Sequence, residues 1–400
     1  MPDVLCLLSL LLVGPLLLWW SGGSPTVRAD GGAPNLAYIV GGGKSGDHLV
    51  AMDIGQRTVA WSVALGNQPQ GVVLSADGRL AYIPEASANR VAIVDTRAHQ
   101  VVGTMAVGVG PQAIALDPSG GLHWLFVANM DSNSLTVLDA DTQRTRATLA
   151  VGREPVSVAV AASLSGIRDS GNTSTLEVYV ANRGSQTLSV ITTSDMHTVA
   201  TIALPESPCA LTIPATGGVA YVATCSGKVL AVGLASHRVL GTLLSDLGGA
   251  PGMMDYDAVT GQLYVPVPAS GRVVILRPAG VGADGSLVAP AEPLHILTVP
   301  GAPSAVAITF DGALGFVAER SGGHVVEIDV TNHRTLGTVS VGGAPNAIVT
   351  GPYPPALNSQ TANVVTTMVY VVFALALVIF VAVMVRSNIR GNIQRSRRSD

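Results

Sequence analysis

Short apolar runs separated by polar, glycine-rich turns fill the middle of the chain, and two of these units are near-copies. Residues 124–139 read WLFVANMDSNSLTVLD, and residues 176–191 read LEVYVANRGSQTLSVI. In each, a β-rich run enters a polar turn that begins Ala-Asn, and a second alternating run follows. Apolar positions repeating every second residue mark strands, so each copy predicts an antiparallel pair.

Seven prolines mark a longer period, each closing a turn before a small-residue strand: Pro69, Pro111, Pro155, Pro208, Pro251, Pro303 and Pro345. They stand 42, 44, 53, 43, 52 and 42 residues apart, room for four strands of about six residues with their turns. A strand such as QAIALD (112–117) or SAVAITF (304–310) follows the proline. A second strand then carries an aromatic signature: YIPE (82–85), FVAN (126–129), YVAN (179–182), YVAT (221–224), YVPV (264–267) and FVAE (316–319). A polar turn leads to a third strand expected to alternate, such as RVAIVD (90–95), and a fourth ends in the next Gly-x-x-Pro or a variant of it.

This Tyr-Val-x-Asn core, with the Ser-Asn-x-Val-like turn and the Val-Gly-x-x-Pro close, resembles the YVTN family of β-propeller repeats over about residues 37–351. The resemblance implies a propeller, and the period points there independently. Residues 37–65 supply three strands without a first, and 347–351 supply one strand with nothing after it. Pairing them predicts an all-β, seven-bladed ring whose incomplete blade is closed by the C-terminal strand, which removes an open sheet edge. Two intervals are lengthened, by residues 161–175 and 277–293. Both insertions fall on the rim where the last strand leaves for the C-terminus. The opposite rim, with its Gly-x-x-Pro and Ala-Asn turns, is expected to face away from any membrane.

The two ends of the chain predict that a membrane is near. Residues 4–20 are apolar and lead to a small-residue site at Val27-Arg28-Ala29, the pattern of a secretory leader spanning 1–29. Asp3 and the lack of an early Lys or Arg depart from that pattern, and an uncleaved anchor is the alternative. After a propeller over 30–351 and a linker over 352–363, residues 364–385 run 22 positions without a charge, enough to span a bilayer of about 30 Å as a helix. Five arginines in the tail 386–400 assign that end to the cytoplasm. The expectation is a single-pass protein of the cell membrane with its propeller outside the cytoplasm.

Charge narrows the partner class. The formal charge is −4, but the last fifteen residues carry +4 and everything before them −8, so nucleic acid is not expected as a partner. Charged residues make up only 12% of the chain, too few for a disordered polymer.

Candidate chemistry is sparse. At the fourth position after each proline stand Val73, Ala115, Ala159, Thr212, Asp255, Ala307 and Val349. Asp255 alone is ionisable among these channel-lining positions, which makes it the one weak candidate for catalysis; a hydrogen bond to a turn amide or to Tyr256 is the structural alternative. Rim turns offer Lys44, Asp131, Arg183, Lys228, Glu319 and Arg320 as ligand-binding candidates, with both signs mixed. His99, His197, His237 and His333 share a slot that holds Gln56 and Gln143 in other blades. Spread around a ring, these histidines are too far apart to hold one ion, and neither a metal nor a cofactor is expected. The run GGGKSG (41–46) lacks the first glycine of a phosphate loop, because Tyr38 stands there. Cys209 and Cys225 flank a turn at 214–218, a placement that allows a disulfide in an exported chain.

The expected function is therefore a membrane-anchored binding or interaction scaffold that uses its rim loops to hold a protein, a glycan or a cell-wall component. The alternative is an enzyme working in the channel, since some propellers that this repeat resembles are lactonases or bind quinone or haem.

Overall fold

A computed structural model describes residues 36–351 except 43–45, 67, 118–122, 163–175, 215–217 and 279–292. The leader, Lys44, the linker, the apolar segment 364–385 and the arginine-rich tail lie outside the described residues. No helix among the described residues is long and apolar enough to cross a membrane.

Proline and glycine punctuation divides the described chain into seven four-stranded antiparallel sheets. Blade 2 shows the pattern: an inner strand Pro111–Leu116, then Trp124–Asn129, Ser134–Asp139 and an outer strand Arg144–Ala150. The marker prolines Pro111, Pro155, Pro208 and Pro303 are the first residues of their inner strands, where a missing N–H costs the sheet least. Blade 7 takes strands from both parts of the chain. Its inner strand Ala344–Thr350 pairs antiparallel with Leu36–Gly42, in the register Tyr38 to Val349 and Val40 to Ala347.

Among the described residues no blade has a core of its own. The apolar side chains gather into seven clusters, and each is shared between two adjacent sheets. In Leu36–Gly42 the even residues Leu36, Tyr38 and Val40 pack toward blade 1, while Ala37 and Ile39 pack toward blade 6. A strand covered on both faces must be apolar at every position, and this is the physical origin of the Tyr-Val-x-Asn run. The third strands are also buried on both faces, as in Arg90–Asp95. The alternation expected there is absent because a neighbouring sheet covers each side. Solvent meets mainly the outer strands, such as Gln100–Ala106.

The last residue of the motif is structural. Asn129 is fully buried and its Nδ2 donates to Ser134 Oγ (3.1 Å) and Thr136 Oγ1 (2.9 Å). Asn182 repeats this toward Thr187 and Ser189. A second Asx position stitches blade to blade. Asp47, Asn89 and Asn133 accept hydrogen bonds from the backbone N–H of Gln68, Gly110 and Glu154, each in the turn that enters the next blade. Asn89 and Asn133 sit at φ 53° and 51°, a left-handed conformation that Asn tolerates. Gly227, Gly271 and Gly323 occupy the corresponding turns of blades 4, 5 and 6, and there the backbone of the next turn approaches directly.

Cys209 and Cys225 form a disulfide between the inner strand of blade 4 and the end of its second strand, closing a separation of 16 residues. A loop of this size is worth about 3 kcal/mol in the chain-entropy description. Reduction, or paired Cys209→Ser and Cys225→Ser substitution, is expected to lower the unfolding free energy by roughly that amount. Equal denaturation midpoints with and without reductant would show that the bond does not restrain the unfolded chain.

Candidate functional site

Inner strands from all seven blades line one central channel of about 660 Å³. Two repeat positions build its mouth. The residue after each marker proline gives Gln70, Gln112, Val156, Cys209, Gly252, Ser304 and Asn346. The residue after the second strand gives Met130, Arg183 and Arg320 in blades 2, 3 and 6. Gln112 Nε2 donates to Gln70 Oε1 at 3.2 Å, and Asn346 Nδ2 donates to Pro69 O at 3.5 Å. Among the described residues the ionisable side chains in the wall are Arg183, Arg320 and Asp255.

The two arginines differ in their commitments. Arg183 Nε pairs with Glu154 Oε2 at 3.1 Å, and its Nη2 lies 3.8 Å from Met130 Sδ. Arg320 uses its backbone N–H to hold Ala302 O at 3.0 Å. Its guanidinium has neither an ion-pair nor a hydrogen-bond partner among the described residues. A guanidinium facing a channel with its donors unused is chemically able to donate to an anionic or carbonyl oxygen.

Asp255 has a different employment. Blades 5 and 6 touch through a short parallel bridge, in which Met253 N donates to Ser304 O (2.9 Å) and Val306 N donates to Met253 O (3.1 Å). The next donor along, Ile308 N, finds the carboxylate Oδ2 of Asp255 at 2.8 Å, while Oδ1 accepts from Tyr256 N at 2.8 Å. The side chain thus extends a backbone ladder between two blades. Desolvation in the channel wall pushes its carboxyl up to about 6, against the pull of these two N–H donors. Asp257 caps its own turn, accepting from Val259 N and Thr260 N at 2.9 and 3.1 Å.

The other rim candidates are dispersed. Glu319 is buried and accepts from the N–H groups of Ala302, Ser321 and Gly322 at 2.8, 2.6 and 2.6 Å. Burial pushes its carboxyl up, but the bonds from Ser321, Ala302 and Gly322 outweigh that and hold it below the ordinary range. Lys228 is bound to Glu206, which also takes Ser226. Asp131 lies against Gly110 on the exposed rim. Arg183 and Arg320 are therefore the two sequence candidates that the channel mouth brings together, and Asp255 lies on the same wall.

The histidine slot is one residue out of register in two blades. The left-handed residue before the outer strand is Arg57, His99, Gln143, Met196, His237 or His333, with φ of 49–56° throughout. Gln56 and His197 flank that position instead of filling it, because the turn geometry and not the residue type defines it. Among the described residues no three His, Cys, Asp or Glu side chains stand close enough to hold a metal ion. Met130 and the glutamines of the mouth were missed from the sequence, although counting one residue beyond each motif would have found Met130 beside Arg183 and Arg320.

Ring and channel together define a seven-bladed β-propeller. No family model matches the chain, and no curated protein sequence does either. The Tyr-Val-x-Asn likeness thus rests on the repeat residues themselves. Solved structures do match. A functionally unknown protein from Desulfotomaculum acetoxidans DSM 771 is similar with a TM-score of 0.64 at 11% identity, over 78% of this chain and 98% of that one. Hydrazine synthase of Kuenenia stuttgartiensis is similar at 0.58 and 22%, over 71% and 90%. Dihydro-heme d1 dehydrogenase NirN in complex with DHE follows at 0.55 and 16%, over 83% and 79%. At these identities the likeness is one of fold.

A carboxyl raised from 3.8 to about 6 makes the folded chain bind a proton that the unfolded chain releases. The stability linked to Asp255 is therefore fullest below about pH 4 and falls as pH rises through about 6, by at most roughly 3 kcal/mol. Asp255→Asn keeps an oxygen for Ile308 N and is expected to flatten this slope. Asp255→Ala leaves that N–H unpaired and is expected to cost about 1–3 kcal/mol at every pH. Denaturation midpoints from pH 4 to 8 decide it. A wild-type slope that survives in Asp255→Asn would assign the titration to another group.

Proposed function

We propose that this chain is a binding propeller, displayed outside the cytoplasm on its C-terminal apolar segment. It holds a partner that presents an acidic or carbonyl-rich group to the channel mouth. The observation that carries the reading is Arg320, whose guanidinium lines the channel without a partner among the described residues. Arg183 lies in the same wall, and the amides of Gln70, Gln112 and Asn346 line the same channel. The seven blades give these groups a stiff frame, closed by the pairing of Ala344–Thr350 on Leu36–Gly42. Anchoring outside the cytoplasm is supported by the 22 uncharged residues at 364–385 and the five arginines beyond them.

Catalysis in the channel is the second reading, and the raised carboxyl of Asp255 is what favours it. Against it stands the commitment of both Asp255 oxygens to backbone N–H groups, which leaves the carboxylate little freedom to move a proton. Two of the similar structures are a hydrazine synthase and a dehydrogenase, but fold alone does not transfer chemistry.

Titrating the full chain with oligogalacturonate and with an oligoglutamate peptide tests both the mouth and the partner class. Saturable binding of at least one is expected, weakened about tenfold or more by Arg320→Gln and weakened by added salt. Affinity that is indifferent to Arg320→Gln would contradict the reading. So would a turnover reaction that folded Asp255→Asn abolishes.

A further inference from the structure

Because the blades repeat, the clefts between them can be compared position by position, and one is unfilled. Five second strands place a tyrosine at the same register, opposite Ala51, Ile93, Val190, Ala231 and Ile275 in their third strands, and the Tyr221 ring of blade 4 is covered by Tyr256 of the next blade at 5.8 Å. In three of these the hydroxyl has a partner. Tyr38 shares a hydrogen bond with Thr96 of the next blade. Tyr179 donates to Glu177 Oε2 at 2.8 Å, and His237 of the next blade closes on the same oxygen at 3.2 Å. Tyr264 donates to Gln262 Oε1 at 3.0 Å, and His333 of the next blade meets that oxygen at 2.9 Å. Aromatic side chains fill what space is left: Trp61 stacks on His99 at 4.5 Å, and His295 stacks on His333 at 5.5 Å.

Tyr82 has lost every one of these plugs. Leu80 stands two residues before it, where Glu177 and Gln262 stand in the other blades. Ala140 replaces Thr96, and Gln143 replaces the histidine. Gly103 is opposite Ile93, as Trp61 is opposite Ala51 and His295 opposite Ile275. Tyr82 is 2% exposed, and its hydroxyl has no hydrogen-bond partner among the described residues. It faces a cavity of about 420 Å³ between blades 1 and 2, within the range of small-molecule sites.

The lining selects charge. Asp77 and Asp141 stand at the cavity, together with buried Asp117 and with His123, whose Nδ1 lies 3.0 Å from Asp141 Oδ2. Among the described residues no Lys or Arg is in the wall, while Leu80, Leu116 and Ala140 give it an apolar floor. We propose that the cleft between blades 1 and 2 binds a small organic cation, its ammonium group held by Tyr82 and Asp141 and its hydrocarbon body seated on the leucines. Burial, with the fields of Asp141 and Asp77, pushes the Tyr82 phenol up to about 12. The phenol therefore stays neutral and can offer its oxygen to an ammonium N–H.

Ligand-observed NMR or calorimetry on the full chain, with n-butylamine and phenethylamine as probes and n-butanol and butyrate as controls, tests this. Saturable binding of the amines alone is expected, weakened about two- to tenfold by Tyr82→Phe and by Asp141→Asn. Asp141 is exposed, so its variant keeps the test open if Tyr82→Phe misfolds. Filling the cleft as the other blades do, with Ala140→Thr and Gly103→Trp, is expected to abolish binding. Amines that bind no better than butanol would overturn the proposal. So would a folded double variant that binds them undiminished.

Discussion

The pairing of Ala344–Thr350 with Leu36–Gly42 is the contact on which the other six blades depend. Every apolar cluster in the ring is shared between two sheets, so a blade with one bare flank would expose half of its second strand. Tyr38, for example, is 1% exposed only because blade 1 covers it, and Ile39 only because blade 6 does. Antiparallel pairing between the two ends of the repeat supplies the seventh sheet without a seventh complete repeat. The same arrangement makes local opening expensive, because separating any blade uncovers two apolar clefts at once.

Within such a frame, residues that look chemical often serve geometry. The motif asparagines, Glu319 and the Asx residues of the turns all hold backbone or neighbouring hydroxyls. Asp255 belongs with them, since its carboxylate continues a parallel bridge between blades 5 and 6. Unused hydrogen-bonding capacity remains where a repeat position departs from its copies without a compensating partner. Arg320 is such a departure at the channel mouth, and the Tyr82 cleft is another between two blades.

Much of this architecture is legible in the sequence. The seven prolines placed the inner strands, and the absence of a first strand at residue 37 pointed to a C-terminal partner. The channel position of Asp255 followed from counting four residues past Pro251. Other features were hidden for physical reasons. Alternation failed in the third strands because both faces are covered, a fact of neighbouring sheets and not of the strand itself. His197 was misaligned with His99 because a left-handed φ, not a shared side chain, defines the slot, and Met196 fills it. The empty cleft depends on four substitutions at Leu80, Gly103, Ala140 and Gln143 that lie far apart in sequence. Each is unremarkable alone, and only their convergence on the Tyr82 hydroxyl makes a cavity.

Hydrogen exchange on the full chain, resolved by peptide, tests the closed ring most directly. If the two ends are locked as described, amides of the strand at 344–350 exchange as slowly as those of Pro303–Ile308 in blade 6 and open with them in one cooperative event. Exchange at 344–350 that is orders of magnitude faster, with the other inner strands still protected, would contradict a ring that stands or falls as one unit.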